Sequence, residues 1–308
     1  MSTTGRDLTR RLRLLLALGA AATLVLFGAY RGVHDDTVPL ASSSAPGILA
    51  VDTARNALGK AHQVVTRSGA VDDDTTGEFH TQISVAHQSL ALAASENVTG
   101  LAGRHTLQTV TGLIAVYSGW VERLGKARHN PRLSAVYLHY ANQVLGPGTD
   151  GDIMSRLADL RDQKMAEAER QASFPEPLWL AWSAVLVLAV ALCAALVEAQ
   201  RFARRRFRHS VHPPLLAATV LCVAGVAVLS CFTLEAHRAM TGVLDQLRTP
   251  QPAGEVAKVA GQVEAGMADA GFWAALSSWV LIGGVLMMAL TVAGLWPRIA
   301  EYRFEGSR

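Results

Sequence analysis

Four apolar stretches divide this chain, and each has about the length that a helix needs to cross a membrane. The stretches cover residues 14–30, 178–197, 215–234 and 272–296. A helix of about 20 apolar residues spans the hydrocarbon core of a bilayer. The sequence therefore predicts an all-α integral membrane protein with four transmembrane helices.

Charge predicts on which side of the membrane each connecting segment lies. Residues 1–13, 198–214 and 297–308 together hold 12 Arg, no Lys and four carboxylates, whereas residues 31–177 and 235–271 have net charges of −3 and −2. Short cytoplasmic segments of membrane proteins are enriched in Lys and Arg. We therefore expect a multi-pass protein of the cell membrane with both termini in the cytoplasm. The arginines flank the membrane, which argues against nucleic-acid binding.

The first stretch, residues 14–30, could be a signal peptide or an uncleaved membrane anchor. Its apolar run is long for a signal peptide, and its end, Phe27–Arg31, makes a poor small-residue cleavage site. An uncleaved anchor is therefore favoured. The cysteines, Cys193, Cys222 and Cys231, all lie within predicted spans, so the outer segment must be stabilised by packing rather than by disulfides.

Residues 31–177 contain four rows of apolar residues at the three- and four-residue spacing of one helix face. The rows are Val51, Ala54, Leu58, Ala61 and Val65; Phe79, Ile83, Ala86, Leu90 and Ala93; Leu107, Val110, Ile114, Tyr117, Val121 and Leu124; and Leu133, Val136, Tyr140 and Val144. A spacing near 3.5 residues and short connectors favour antiparallel neighbours with shallow crossing angles. We therefore predict an extracytoplasmic up-and-down four-helix bundle.

Local signals mark where these helices begin and break. Thr75 and Glu78 form a candidate capping box ahead of the second row. The fourth helix is expected to begin after Asn130 and Pro131 and to be interrupted at residues 146–151. It resumes with the apolar residues Ile153, Leu157 and Leu160.

The second outer segment, residues 235–271, contains two short amphipathic stretches separated by Pro250 and Pro252. The stretches are Val243, Leu244 and Leu247, and then Val256, Val259, Val263 and Met267. They could fold onto the bundle or lie at the lipid headgroups, and the sequence leaves both alternatives open.

Catalytic and cofactor motifs are missing from the sequence. It contains no nucleophile elbow, no zinc-protease helix and no Gly-rich phosphate loop. His80 and His87, with His62 or His139, could bind a metal or sense pH, but solvated helix positions explain them better. The predicted spans lack the interior charges that ion-coupled carriers place there. We therefore predict a protein that is not an enzyme, with no cofactor and no metal site.

Two sets of residues at the predicted membrane boundaries are candidate sites. The first set is basic and is expected to contact either anionic lipid or a cytoplasmic partner: Arg201, Arg204, Arg205, Arg206, Arg208, Arg298 and Arg303. The second set consists of expected interfacial anchors: Trp179, Trp182, Trp273 and Trp296.

Three segments resemble an actinobacterial family of four-span membrane proteins. They are residues 97–112, 204–216 and 296–303. Members of that family are encoded beside protein kinase G and an amino-acid-binding lipoprotein. The resemblance implies that the lipoprotein reports external acidic amino acids and that the membrane protein relays the signal to the Ser/Thr kinase. The outer bundle also resembles the sensor bundles of chemoreceptors, which implies a homodimer.

Two hypotheses for the function follow. The outer segment of 147 residues contrasts with 42 predicted cytoplasmic residues, which favours a non-enzymatic signal relay acting through another protein. The alternative is a scaffold or accessory subunit of a cell-envelope or transport complex, which would bind its partner constitutively.

Overall fold

The protein forms two compact units in a computed structural model that describes residues 3–68, 73–95, 100–146, 152–173, 176–207, 213–252, 254–268 and 270–304. The first, which we call the span unit, comprises Met1–Val38, Phe174–Arg238 and Asp269–Arg308. The second, the bundle unit, comprises Pro39–Ser173 and Ala239–Ala268.

Nearly all described residues are helical, and none of them forms a strand. The helices are α1 (Thr3–Pro39), α2 (Ala45–Ser68), α3 (Asp73–Ser95), α4 (Gly100–Lys126), α5 (Pro131–Leu145), α6 (Ile153–Ala172), α7 (Glu176–Phe207), α8 (Pro213–Arg248), α9 (Val256–Met267), α10 (Ala270–Ala275) and α11 (Ser277–Phe304). A π-helical segment, Leu40–Ser44, follows α1. Four helical stretches are long and apolar enough to cross a membrane. The predicted fold class, all-α with four such helices, is confirmed.

The described helix that could form the fourth span is shorter than the apolar stretch in the sequence. It covers Ser277–Trp296 within α11, whereas the prediction was residues 272–296. The short helix α10 precedes it, and the backbone turns at Leu276. Serines favour helix starts because their hydroxyls compete for backbone hydrogen bonds, and Ser277 and Ser278 follow this turn.

Helices of the span unit pack closely around small residues. Leu15, Leu192 and Leu215 of α1, α7 and α8 share one apolar core. A Cβ atom at Gly284 of α11 would clash with the side chain of Thr23 on α1. Only glycine permits that approach, as is common where membrane helices pair.

The bundle unit buries the first three predicted apolar rows. Every member of those rows on α2, α3 and α4 is buried, and Ile114 and Tyr117 of α4 are fully enclosed. Helix α6 completes the core with Ile153, Leu157 and Leu160, as expected.

The prediction for the fourth row was wrong at its first three positions. Leu133, Val136 and Tyr140 of α5 are 41%, 45% and 43% exposed. Instead, α5 buries Ala141 and Leu145. Apolar residues cover most sides of this helix, so the spacing in the sequence fits more than one face. Packing against the neighbouring helices determines that Tyr137, Leu138, Ala141 and Leu145 face the core.

Side-chain caps begin α5 and α6. Leu133 donates its backbone N–H to Oδ1 of Asn130 at 3.3 Å, and Pro131 occupies the first turn. Ser155 donates in the same way to Asp152 at 2.6 Å. The predicted cap at Thr75 lies instead inside α3, which begins at Asp73.

Most of the second predicted outer segment, residues 235–271, which we call the loop, belongs to the bundle unit. Its residues Leu247 and Val263 join Leu40, Ile48 and Met165 in a second buried core. Of the two alternatives that the sequence left open, the structure therefore has the loop packed on the bundle.

Candidate functional site

A buried ion pair joins two helices of the bundle unit. Nε of Arg161 on α6 lies 2.8 Å from Oδ1 of Asp52 on α2, and the side chains are only 6% and 2% exposed. A charge taken out of water is tolerated when it is paired and its remaining hydrogen-bonding groups are satisfied. The surroundings of this pair meet that condition.

Backbone groups of the loop complete the hydrogen bonding of the pair. Nη2 of Arg161 donates to the carbonyl oxygen of Leu247 at 2.5 Å, and Gln251 donates its N–H to Oδ2 of Asp52 at 3.4 Å. Asn56 on α2 donates to the carbonyl oxygen of Gln251 at 2.7 Å. The site thus holds α2, α6 and the loop together. We call Asp52, Arg161 and residues 247–251 the clamp.

Burial is the strongest influence on the acid of the clamp. It raises the pKa of the Asp52 carboxyl group above its usual value, while the Arg161 guanidinium and the N–H of Gln251 oppose that rise. Because two partners favour the carboxylate and burial opposes it, the clamp is sensitive to the loss of either partner.

A second cation, Lys164, is completely buried one turn further along α6. Its Nζ donates to the carbonyl oxygen of Ala93 at 3.3 Å, close to the end of α3 at Ser95. A positive charge there satisfies carbonyl groups that have no partner within the helix and compensates the helix dipole. Lys164 therefore ties α6 to the end of α3.

His62 and Tyr117 form a polar contact at the edge of the bundle core. Nδ1 of His62 lies 3.3 Å from the hydroxyl of Tyr117, which also packs against Phe79. Burial lowers the pKa of His62 and raises that of Tyr117, so both side chains are held neutral. In the residues that the structure describes, no three His, Cys, Asp or Glu side chains gather where a metal could bind.

A partly exposed aromatic patch covers one side of α4 and α5. Trp120 stacks on Tyr140 with ring centroids 4.9 Å apart, and the guanidinium of Arg123 lies over Trp120 at 4.7 Å. The patch is widened by exposed Val116 and Val136. Apolar patches of this kind mark surfaces that contact other molecules.

The predicted boundary residues are only partly described. Arg201 is exposed on α7. Arg208 lies outside the described residues, as do the side chains of Arg204, Arg205, Arg206, Arg298 and Arg303. These arginines therefore stay a prediction.

The predicted tryptophan anchors also remain a prediction. Trp179 and Trp296 are 67% and 56% exposed. Trp182 is half-buried, and its indole N–H has no partner among the described residues. The side chain of Trp273 lies outside the description. Sequence analysis missed Trp279, which is exposed near the start of α11.

Sequence analysis also missed the clamp. Asp52 and Arg161 directly follow the predicted core residues Val51 and Leu160, and a charge beside a core row is usually solvated. The sequence did offer one indication, because each charge lies next to a core row. The indication is weak, since Asp52 and Arg161 are 109 residues apart in the chain.

The family comparison covers the bundle part of the chain. Residues 36–173 match the model of a family described as "Actinobacterial sensor domain". This segment is similar to an actinobacterial sensor domain. The match supports the resemblance to an actinobacterial family that the sequence suggested. No curated protein and no solved structure matches the sequence.

All of the matched segment except residues 36–38 belongs to the bundle unit, which begins at Pro39. The bundle unit, however, also contains Ala239–Ala268, which lies outside the match. The clamp therefore joins two helices of the sensor-like segment to a loop that the family model does not include.

Proposed function

We propose that this protein is a non-enzymatic transmembrane signal relay. The match of residues 36–173 to a sensor family supports a role in sensing. Four helices that are long and apolar enough to cross a membrane support a multi-pass membrane location. In the proposed orientation the bundle unit lies outside the cytoplasm and both termini lie inside, as the distribution of arginines favours.

The clamp is the observation that most supports a relay. Helix α2 follows the first span predicted from the sequence, residues 14–30, and α6 precedes the second, residues 178–197. Residues 247–251 lie between the third and fourth predicted spans. Arg161 contacts both α2 and the loop. A change in bundle packing that shifts Arg161 would therefore act on segments connected to all four spans, and packed interfaces respond to such shifts by switching between discrete arrangements.

The partners in this proposal come from the resemblance. An amino-acid-binding lipoprotein outside the membrane would supply the stimulus, and a cytoplasmic Ser/Thr kinase would receive it. Membrane lipids surround the spans, and the inner arginines such as Arg201 offer a surface for the kinase or for anionic lipid.

The proposed output surface can be tested with a photo-crosslinking residue in place of Ala203. Cells would be exposed to external aspartate or glutamate before irradiation, and the crosslinked cytoplasmic proteins would be identified. A relay requires the partner set to change with the amino acid. An unchanged set would contradict the relay and favour the scaffold.

We further propose that two copies pair through the aromatic patch on α4 and α5. Its exposed apolar residues require a cover, and Tyr and Trp are enriched at protein interfaces. A Val136→Cys variant in native membranes should then form a disulfide-linked dimer under mild oxidation. Glu122→Cys, which lies on α4 away from Trp120, should stay monomeric. Equal crosslinking of the two variants would contradict this interface.

A further inference from the structure

A groove in the span unit has an apolar wall and a charged rim. It lies between the N-terminal half of α1 and the C-terminal half of α7 and encloses about 350 Å³. Leu14 and Leu15 of α1 form one wall, and Ala195 and Ala199 of α7 form the other. The alanines leave space because they are small. Leu14 is 52% exposed, so its side chain is accessible from outside the helices.

The rim of the groove is formed by Arg10, Arg11 and Glu198. Nη2 of Arg11 lies 3.1 Å from Oε1 of Glu198, and its guanidinium also lies 4.5 Å from the ring centre of Phe202. Arg10 is exposed and has no ion pair or hydrogen bond with any other described residue. The rim therefore has two positive charges and one negative charge, and one guanidinium is available to a ligand.

This combination fits a molecule that is anionic at one end and apolar at the other. A guanidinium binds phosphate oxygens with two parallel hydrogen bonds. An apolar wall next to it excludes water and accepts a hydrocarbon chain, whereas a free inorganic anion would gain nothing from that wall. The rim lies at the end of the spans where basic residues meet headgroups, and basic pockets between membrane helices bind anionic lipid heads.

We propose that the groove between α1 and α7 binds one anionic phospholipid. The phosphate lies at Arg10 and Arg11, and one acyl chain lies along Leu14, Leu15 and the alanine wall. The site differs from the arginine run that begins at Arg201, and it does not depend on whether the protein relays a signal.

Native mass spectrometry of the full-length protein in detergent tests the site. Phosphatidylglycerol and phosphatidylcholine would be titrated separately, and the dissociation constant of the first lipid adduct compared among variants. Arg10→Gln should weaken phosphatidylglycerol binding about fivefold, because a basic residue near the membrane surface contributes that much to anionic lipid binding. Arg13→Gln is the matched control, since it removes the same charge from an exposed position of α1 that does not line the groove.

Two further measurements separate the apolar wall from the charge. Ala195→Phe fills the groove without changing a charge and should also weaken phosphatidylglycerol binding. Millimolar inorganic phosphate should leave the lipid adduct in place, since phosphate cannot use the apolar wall. Equal weakening by Arg10→Gln and Arg13→Gln, phosphatidylcholine binding as tight as phosphatidylglycerol binding, or displacement of the lipid by phosphate would each overturn the proposal.

Discussion

Asp52 and Arg161 are both removed from water, and each depends on the other and on loop backbone groups for its hydrogen bonds. Such a pair gives little net stability compared with a well-packed apolar pair, but breaking it leaves an uncompensated charge in the interior. A single substitution of Asp52 or Arg161 should therefore lower the free energy of unfolding more than a substitution at an exposed position.

Arg161→Met should destabilise the folded protein by about 3–5 kcal/mol, because it leaves the buried Asp52 carboxylate without its cation. The double variant Asp52→Leu with Arg161→Met should recover part of that loss, since no charge then remains unpaired. Thermal unfolding of the full-length protein in detergent, followed by circular dichroism, compares the stability of the wild type, the single variant and the double variant. Arg170→Met is the control, because Arg170 is 75% exposed on the same helix and should change stability by less than about 0.5 kcal/mol. An Arg161→Met variant as stable as the control would contradict this assignment.

His62 should make the stability of the bundle unit depend on pH. Burial lowers its pKa in the folded state below the ordinary value of 6.5. As the pH falls through about 6.5, the unfolded chain therefore takes up a proton before the folded one does, and stability present above that pH is lost. We expect the melting temperature of the full-length protein to fall between pH 7 and pH 5, and His62→Gln to reduce that slope. An unchanged slope in His62→Gln would exclude His62 as the cause.

Among the helices, sequence periodicity predicts the buried faces of α2, α3 and α4 well because each has one apolar row that is longer than any other on that helix. It fails on α5, where apolar residues surround the helix and only the neighbouring helices determine which face is buried. The caps at Asn130 and Asp152 are local and so could be predicted, whereas Lys164 at the end of α3 depends on a contact 71 residues away.

The loop, residues 235–271, is the segment whose packing the sequence left open and the structure decides. Its apolar spacing at Val259 and Val263 fits a bundle surface or a lipid surface equally well, because both present apolar contacts. The hydrogen bonds of Leu247 and Gln251 to Arg161 and Asp52 distinguish the two alternatives. No pattern in the sequence indicates them, because they use backbone groups of the loop.

Val263→Asp should release the loop from the bundle unit. Val263 is 4% exposed, and an unpaired charge in that core costs several kcal/mol. Limited proteolysis of the full-length protein should then cleave residues 249–269 faster than in the wild type. Gln262→Asp, the exposed neighbour on α9, introduces the same charge and should leave the cleavage rate unchanged. Equal rates in the two variants would indicate that the loop is not held by this core.

For the molecule as a whole, the distribution of arginines favours the proposed orientation, with both termini in the cytoplasm. Reporter fusions after residues 100 and 255 should report an extracytoplasmic location, and fusions after residues 209 and 308 a cytoplasmic one. Alkaline phosphatase and a fluorescent protein are suitable reporters, since each is active on one side only. A cytoplasmic signal after residue 255 would mean that the last two helices do not both cross the membrane.

In the proposed relay, the clamp couples the bundle unit to the cytoplasmic side. The direct measurement is the rate at which a maleimide labels a cysteine at exposed Arg201, in cells with and without external aspartate or glutamate. We expect the amino acid to change this rate in the otherwise wild-type protein and in Arg170→Met, but not in Arg161→Met inserted to the same level. A response in Arg161→Met equal to that of the wild type, or no response in the wild type, would contradict coupling through the clamp.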